Sequence, residues 1–180
     1  APCAMSEPTR DAPWPMLHRD LVRSGYVEEM PQGPYERLWY RDFHKEMIAT
    51  RVEAILAQGF VFVGTFTGNL HALDAESGET RWTFEADGPF LASPSYDDGV
   101  IYIAGDDGFL YAIDAATGES LWAFEAKAGF STSPAIKDGL ILIGDRQGVF
   151  YAIDKKTHEP RWTYQASAMI LSPASVKNDR

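Results

Sequence analysis

Residues 108–122 read GFLYAIDAATGESLW. The same pattern occurs 40 residues earlier, as GNLHALDAESGETRW in residues 68–82, and 40 residues later, as GVFYAIDKKTHEPRW in residues 148–162. Three sets of residues keep this interval: Trp82, Trp122 and Trp162; Asp74, Asp114 and Asp154; and Gly68, Gly108 and Gly148. One structural unit has therefore been repeated, and repeats of this length indicate solenoids, propellers or related arrays.

Each unit predicts a small sheet of four antiparallel strands joined by three tight turns. In the middle unit, runs of β-branched and aromatic residues are separated by Asp-Gly pairs at 98–99 and 107–108 and by Thr-Gly at 117–118. Glycine adopts positive φ at little cost and Asp hydrogen-bonds the turn backbone, so these pairs mark connections between strands. The runs Val100–Ala104 and Phe109–Ile113 are apolar on both faces, which indicates that both faces of the sheet are covered.

Four-stranded sheets stacked face to face are the blades of a β-propeller, so the predicted fold class is all-β. WD-type blades fit less well, because the three repeated tryptophans are followed by Thr, Ala and Thr instead of Asp. Helical repeats need a 3.6-residue period over about a dozen residues, which only residues 43–58 have room for. We interpret residues 43–58 as a degenerate inner strand plus part of a second, with Thr50–Arg51 corresponding to Ser93–Pro94.

The domain organisation follows from this register. Residues 1–35 are predicted to form an extended lead-in and residues 36–180 a partial propeller. The predicted parts of the propeller are one outer strand at 36–45, full blades at about 48–85, 90–125 and 131–165, and the start of a further blade at 169–180. A ring usually needs four to eight blades. We therefore expect a fragment of a longer propeller that continues past Arg180, whose missing C-terminal blades, or else another chain, cover the open blade faces.

The segment from Gly108 to Trp122 resembles the repeat of the quinoprotein alcohol dehydrogenase-like, or PQQ-repeat, propellers. The stretch Trp14–Gly25 also resembles the lead-in that precedes the first blade in bacterial members. The resemblance covers roughly residues 14–176 and implies a propeller fold and a bacterial periplasmic or other extracytoplasmic location. It does not select one function, because this superfamily includes quinone-dependent dehydrogenases, outer-membrane assembly lipoproteins, sensor domains and propellers without known catalysis.

The charge of the chain limits its partners. The formal net charge is −10, the isoelectric point is about 4.8, and Lys and Arg form no run. An acidic chain of this kind is not expected to bind nucleic acid or anionic membrane surfaces. The acids lie mainly in turns, as a solvated turn face requires. No apolar run approaches the roughly 20 residues of a membrane-spanning helix.

The single cysteine, Cys3, excludes an internal disulfide, a thiolate zinc site and a CxxCH haem attachment. It lies in the stretch APCAMSEPTRDAP at the start of the sequence. Cys3 is the candidate lipidation site, and the alternative is an incidental surface thiol. A lipid anchor would mean that the numbering begins before the cleavage point, because an acylated cysteine is the first residue of a mature protein.

The residues that could carry chemistry are interpreted as structural. A cofactor-stacking Trp is needed once, whereas Trp82, Trp122 and Trp162 recur at equivalent outer-strand positions, where a large ring can wedge between sheets. The repeated aspartates each precede a turn and should accept its N–H groups. The histidines, namely His18, His44, His71 and His158, show no metal-binding spacing; His71 takes the place of a repeated Tyr and His158 that of a turn glycine. We expect no catalytic residue, cofactor or metal site in these 180 residues.

Two function classes remain. The favoured one is a non-catalytic propeller that acts as a protein-interaction scaffold or accessory subunit of a larger complex. The alternative is the N-terminal part of a quinone-dependent dehydrogenase. The vicinal cysteines and dense cofactor-binding set of those enzymes are missing from this sequence, which argues against the alternative.

Overall fold

The structure, a computed structural model, describes residues 36–176. Within this range the chain forms strands and turns and no helix. The strands are β1 (Ile55–Ala57), β2 (Phe60–Gly64), β3 (Asn69–Asp74), β4 (Thr80–Glu85), β5 (Ser95–Asp97), β6 (Val100–Ala104), β7 (Phe109–Asp114), β8 (Ser120–Glu125), β9 (Ala135–Lys137), β10 (Leu140–Gly144), β11 (Val149–Asp154) and β12 (Pro160–Gln165).

These strands form three sheets of four, each in chain order and antiparallel throughout. The first blade contains β1–β4, the second β5–β8 and the third β9–β12. The predicted all-β propeller blades are confirmed. The short inner strand β5 contacts both β1 and β9, so the three inner strands lie in a row and the blades extend outward from them. The outer strands β4, β8 and β12 lie at the rim.

The turns follow the predicted chemistry. At the β1–β2, β5–β6 and β9–β10 turns, two consecutive residues have positive φ: Gln58 and Gly59, Asp98 and Gly99, and Asp138 and Gly139. Two left-handed residues in a two-residue loop define the type I′ hairpin, whose twist matches that of the flanking strands. The repeated Asp-Gly pairs therefore fix the register of the first hairpin of the second and third blades.

The core lies between the blades. One cluster joins the first and second blades through residues such as Phe62, Leu70 and Ile103, and another joins the second and third through residues such as Leu110 and Ile143. Each of these side chains is fully or almost fully buried. Burial of one such aliphatic or aromatic side chain contributes about 1.5–3 kcal/mol, so each blade depends on its neighbours for most of its stability.

Two flanking intervals differ from expectation. Residues 36–45 contain no strand, although an outer strand was predicted there, and residues 169–176 contain none either. A strand is defined by its ladder partner, and no described residue pairs with either interval. Ile170 nevertheless keeps the place of Phe130, because its N–H donates to Asp145 O at 3.3 Å as that of Phe130 donates to Gly105 O at 3.0 Å. Residues 1–35 and 177–180 lie outside the described range.

The alignment of Thr50–Arg51 with Ser93–Pro94 is wrong. The N–H of Glu53 donates to Ser93 Oγ at 2.7 Å, and the N–H of Ser93 donates to Ser133 Oγ at 3.0 Å. Glu53 is therefore the counterpart of Ser93. The sequence before the first blade holds three extra residues, since Gly59 follows Trp39 by 20 positions whereas Gly99 follows Trp82 by 17.

Candidate functional site

The junction between neighbouring blades is built on a tryptophan and a glycine. The Trp82 ring lies over Gly118, so close that a Cβ on this glycine would stand 2.6 Å from the ring. Trp82 Nε1 donates to Ala115 O at 3.1 Å. The Trp39 ring covers Gly78 at the same 2.6 Å, and its Nε1 donates to Ala75 O at 2.9 Å. Trp39 thus acts on the first blade as Trp82 acts on the second.

The junction between the second and third blades uses a histidine instead of the glycine. His158 keeps the left-handed conformation of this turn position, with φ of 63° against 78° at Gly118. Its ring stacks on Trp122 with 4.6 Å between centroids and 17° between planes. Within the described residues, Trp122 Nε1 makes no hydrogen bond to Lys155 O, the carbonyl at the place of Ala115. Ring stacking has replaced the close glycine contact at this junction.

Trp162 has no blade against it in the described residues. It is 47% exposed and stacks instead on Phe150 of its own sheet, with centroids 6.0 Å apart. Phe150 is partly exposed, whereas its counterpart Leu110 is fully buried. Tyr164, on the same strand as Trp162, is also exposed. The outer part of the third blade therefore presents an apolar, aromatic face.

The repeated aspartates hold the β3–β4, β7–β8 and β11–β12 turns. Asp114 Oδ1 accepts the N–H groups of Ala116 and Thr117 at 2.9 and 2.8 Å. These backbone donors, with the Thr117 hydroxyl, hold the pKa of Asp114 below its usual value. Asp74 has the same contacts and also accepts Arg81 Nη2 at 2.8 Å, which lowers its pKa further. All three carboxylates, Asp154 included, accept hydrogen bonds within their own turn.

The glycines of the second turn allow close backbone packing. Gly68, Gly108 and Gly148 have φ of 86°, 93° and 83°. Each carbonyl accepts the N–H of the residue directly after the outer strand of its blade, as Gly68 O does from Ala86 at 2.9 Å. A Cβ at Gly68 would stand 2.8 Å from Ala86 O. The positive φ favours glycine at all three positions, and at Gly68 and Gly148 the nearby carbonyls also leave no room for a Cβ.

An acid–aromatic pair recurs beneath these turns, and sequence reasoning missed it. Tyr151 OH donates to Asp145 Oδ2 at 2.9 Å, and Tyr111 OH donates to Asp107 Oδ2 at 2.6 Å. Burial, aided by the neighbouring Asp107, raises the pKa of the Tyr111 hydroxyl. Asp145 is fully buried and also accepts two backbone N–H groups. Asp145 and Asp107 are 38 residues apart, so this pair of acids does not follow the 40-residue interval of the repeat.

In the first blade, Glu46 and His71 form the acid–aromatic pair that corresponds to the Tyr–Asp pairs of the other blades. His71 Nε2 lies 2.7 Å from Glu46 Oε2, which also accepts Asn69 Nδ2 at 2.9 Å. Burial raises the pKa of Glu46, but these two hydrogen bonds outweigh it, so the pKa is below its usual value. The pair fixes the 43–47 turn on the first blade, and Phe43 packs on the imidazole with centroids 5.5 Å apart. His71 is thus a polar partner as well as a packing residue.

Two concave surfaces accompany these contacts. A cavity of about 390 Å³ lies where the lead-ins to the inner strands converge, lined by hydroxyl residues such as Ser131 and Thr132 together with Arg51. Arg51 Nη1 donates across it to Leu171 O at 3.0 Å. A larger, more apolar groove of about 1090 Å³ lies on the first blade, lined by residues that include Leu56, Phe60 and Tyr96.

The remaining candidate residues are not brought together. Among residues 36–176, no group of three or more His, Cys, Asp or Glu side chains could hold a metal ion. His44 is exposed and its N–H donates to Asp42 Oδ1 at 2.7 Å. Cys3 and His18 lie outside the described residues. The part of the chain described here also contains no helix that could span a membrane.

Three four-stranded antiparallel blades with a Trp-to-turn contact at each junction define a PQQ-repeat β-propeller. Residues 27–129 and 106–180 match the model of the family described as outer membrane protein assembly factor BamB. The two matches overlap and together span more than half of the chain, so the chain belongs to this family.

Individual relatives agree with this family. The chain is 34% identical to the outer membrane protein assembly factor BamB of Alteromonas naphthalenivorans, over 44% of this chain and 23% of that protein. The fold also superposes on the crystal structure of BamB from Moraxella catarrhalis with a TM-score of 0.53, over 59% of this chain and 33% of that one. The sequence identity of the two chains is 29%. The chain thus spans 23% and 33% of the length of these two relatives.

A dehydrogenase has the same fold. The quinohemoprotein alcohol dehydrogenase of Comamonas testosteroni superposes with a TM-score of 0.67 over 84% of this chain and 27% of that chain, at 18% identity. Identity at this level shows a shared blade architecture only, because one propeller fold hosts many functions.

Proposed function

We propose that this chain is part of a non-catalytic, extracytoplasmic propeller that serves as a protein-docking subunit in the assembly of outer-membrane proteins. The observation that carries the proposal is the family match over residues 27–180. The 34% identity to an assembly factor supports it, because the name of that relative describes this role.

The use of the repeated side chains supports a scaffold role. Trp82 and Trp122, the turn aspartates and the Tyr–Asp pairs are each engaged in contacts that hold turns or blades together. The features that remain available for binding other molecules are surfaces. They are the aromatic face around Trp162, the groove on the first blade and the outer strands. Such surfaces suit protein partners better than a small-molecule reaction.

Location and anchoring follow from the same proposal. An assembly factor for outer-membrane proteins works in the periplasm, because its partner proteins lie at the periplasmic surface of that membrane. Cys3 is the residue through which a lipid could tether the chain to that membrane. Mass spectrometry of the protein isolated from its own cells tests this point: an acylated N-terminal Cys3 supports the anchor, and an unmodified Cys3 thiol contradicts it.

The alternative, part of a quinone-dependent dehydrogenase, rests on fold likeness to enzymes such as the Comamonas testosteroni protein at 18% identity. We place it second because a likeness at this identity shows the fold alone, whereas the assembly-factor family model matches residues 27–180.

Deletion of the gene in the bacterium that encodes it tests the proposal. Loss of a docking subunit for assembly should lower the amount of folded porins in the outer membrane, which is measured by their heat-modifiable migration in gels. A plasmid copy of the intact gene is the control and should restore them. Unchanged porin levels, together with loss of quinone-dependent alcohol oxidation, would favour the alternative.

A further inference from the structure

Two exposed positions set β8 apart from β4 and β12. The residue just before the repeated Trp is Arg81 on β4 and Arg161 on β12 but Leu121 on β8. Leu121 is 52% exposed. Two residues further along the same face of the strand, β4 and β12 have Thr83 and Thr163, whereas β8 has Ala123. Where β4 and β12 each carry a cation and a hydroxyl, β8 therefore carries two apolar side chains.

The change leaves the edge of β8 without the protection that its neighbours have. Proteins block pairing at exposed edge strands with charged side chains and prolines. β4 carries Arg81, which is held over its own turn by Asp74 at 2.8 Å, and β12 carries Arg161 and begins with Pro160. β8 is the edge strand of the second blade and reads SLWAFE. Its four central residues carry no charge.

The side chains around this edge define what could pair with it. Trp122 and Phe124 turn inward against the third blade, so Leu121 and Ala123 are the apolar side chains left on the outer side. Glu119 and Glu125, both exposed, stand at the two ends of the strand. Six residues of extended chain measure about 20 Å. A complementary segment therefore has apolar residues in the middle and Lys or Arg at both ends.

We propose that the outer edge of β8 is a docking site for an extended segment of a partner protein, which adds to the second blade as a fifth strand. Backbone hydrogen bonds to β8 provide the affinity, and the side chains over Leu121 and Ala123 provide the specificity, as in other cases of strand addition. The inference rests on the proposed docking function and names its surface. A second copy of this chain fits less well, because antiparallel pairing of two β8 strands brings Glu119 of one copy opposite Glu125 of the other.

The probe is a fluorescein-labelled, amidated peptide, Lys-Val-Thr-Val-Thr-Lys, titrated with the 180-residue chain at low ionic strength and followed by fluorescence anisotropy. We expect saturable binding. L121R gives β8 the side chain that β4 and β12 carry, so it should fold normally and weaken binding at least tenfold. L121V keeps an apolar edge and should bind within threefold of the unsubstituted chain, as should R161K on β12. An unchanged melting temperature shows that L121R is folded.

Two altered peptides distinguish strand pairing from non-specific binding of the peptide. N-methylation of alternate residues removes the backbone donors of one edge, and replacement of both Lys by Glu reverses the charge. Each should weaken binding at least tenfold, and the unaltered peptide should slow hydrogen exchange of β8 amides. Equal binding of the peptide by L121R, or of the methylated peptide by the unsubstituted chain, would overturn the proposal. A concentration-dependent dimer abolished by L121R would assign the edge to a second copy.

The outcome is separable from that of the proposed function. If the peptide does not bind and gene deletion still lowers folded porins, the docking role stands and the β8 edge is not its surface. If deletion has no effect while the peptide binds as predicted, strand addition stands and the assembly role is wrong.

Discussion

Trp82 of one blade lies directly on Gly118 of the next, and its indole N–H binds the carbonyl of Ala115. Because the ring would be 2.6 Å from any Cβ at this position, the contact explains why glycine is needed there. The same pair, Trp39 with Gly78, holds the segment before the first blade. Blade stacking in this chain is thus carried by a specific side-chain-to-backbone contact as well as by general burial.

The first prediction tests this contact. Gly118→Ala should lower the free energy of unfolding by about 2–4 kcal/mol, because the new methyl group adds a clash with Trp82 to the cost of positive φ. Gly99→Ala is the matched control. Its φ of 82° is similar but nothing lies within 4 Å of the added Cβ, so we expect a loss of about 1–2 kcal/mol. Equal losses in urea titrations would show that the ring contact contributes nothing.

The second prediction concerns the buried acid Asp145. Asp145→Ala should cost about 2–4 kcal/mol, because it leaves the N–H of Val149 and the hydroxyl of Tyr151 without an acceptor inside the protein. Asp138→Asn is the control: this residue is exposed, its weak contact to Lys137 spans 4.0 Å, and Asn tolerates its φ of 51°, so we expect a change below about 0.5 kcal/mol. Thermal and urea unfolding measure both. A loss at Asp145 no larger than that at Asp138 would refute the role assigned to it.

The third prediction is a pH dependence at Glu46. Its pKa in the folded protein lies below the ordinary value of 4.5, so its contribution is complete above the pKa of the unfolded state and is lost as the pH falls through the folded-state pKa. Glu46→Gln should therefore reduce stability at pH 6–7 by at most about 1 kcal/mol, since the site is partly exposed. The difference from the unsubstituted chain should shrink below about pH 4.5.

Urea titrations across this pH range provide the measurement, with Glu76→Gln as an exposed control that should leave the profile unchanged. A difference between Glu46→Gln and the unsubstituted chain that stays constant down to about pH 3 would show that the Glu46 carboxylate does not interact with His71 and Asn69 as described.

The fourth prediction contrasts two tryptophans in equivalent places. Trp82→Ala should destabilise the 180-residue chain by about 3–5 kcal/mol, because it empties a packed junction. Trp162→Ala should cost less than about 1.5 kcal/mol, because this ring is 47% exposed and no further blade covers it in the described residues. The Trp162 substitution should also reduce the binding of a hydrophobic dye. Similar losses from both substitutions would mean that the Trp162 face is covered in solution.

The strands and turns could be predicted from sequence because their signals are local. The run Val100–Ala104 and the Asp98–Gly99 turn specify a hairpin within a dozen residues, and the structure forms it. The correspondence between Glu53 and Ser93 was missed, with Thr50 aligned instead, because three extra residues interrupt the register before the first blade. No 40-residue pattern predicts where a non-repeated segment will fold back.

The polar contacts were harder to predict for a related reason. Glu46 lies in that non-repeated segment, 25 residues from His71, and nothing in the sequence joins the two. The hydrogen bond from Trp82 to Ala115 spans 33 residues and depends on how two sheets stack. The exposed Leu121 was visible in the repeat, but only the edge position of β8 gives it meaning.

The central claim, a docking subunit for outer-membrane protein assembly, is tested most directly by isolating the native protein from its own cells. The tagged protein would be extracted in mild detergent, and its partners quantified by mass spectrometry against a tagged periplasmic protein of similar size. The account predicts components of the outer-membrane protein assembly machinery in near-stoichiometric amounts. A partner-free protein that binds a quinone and oxidises alcohols would contradict it.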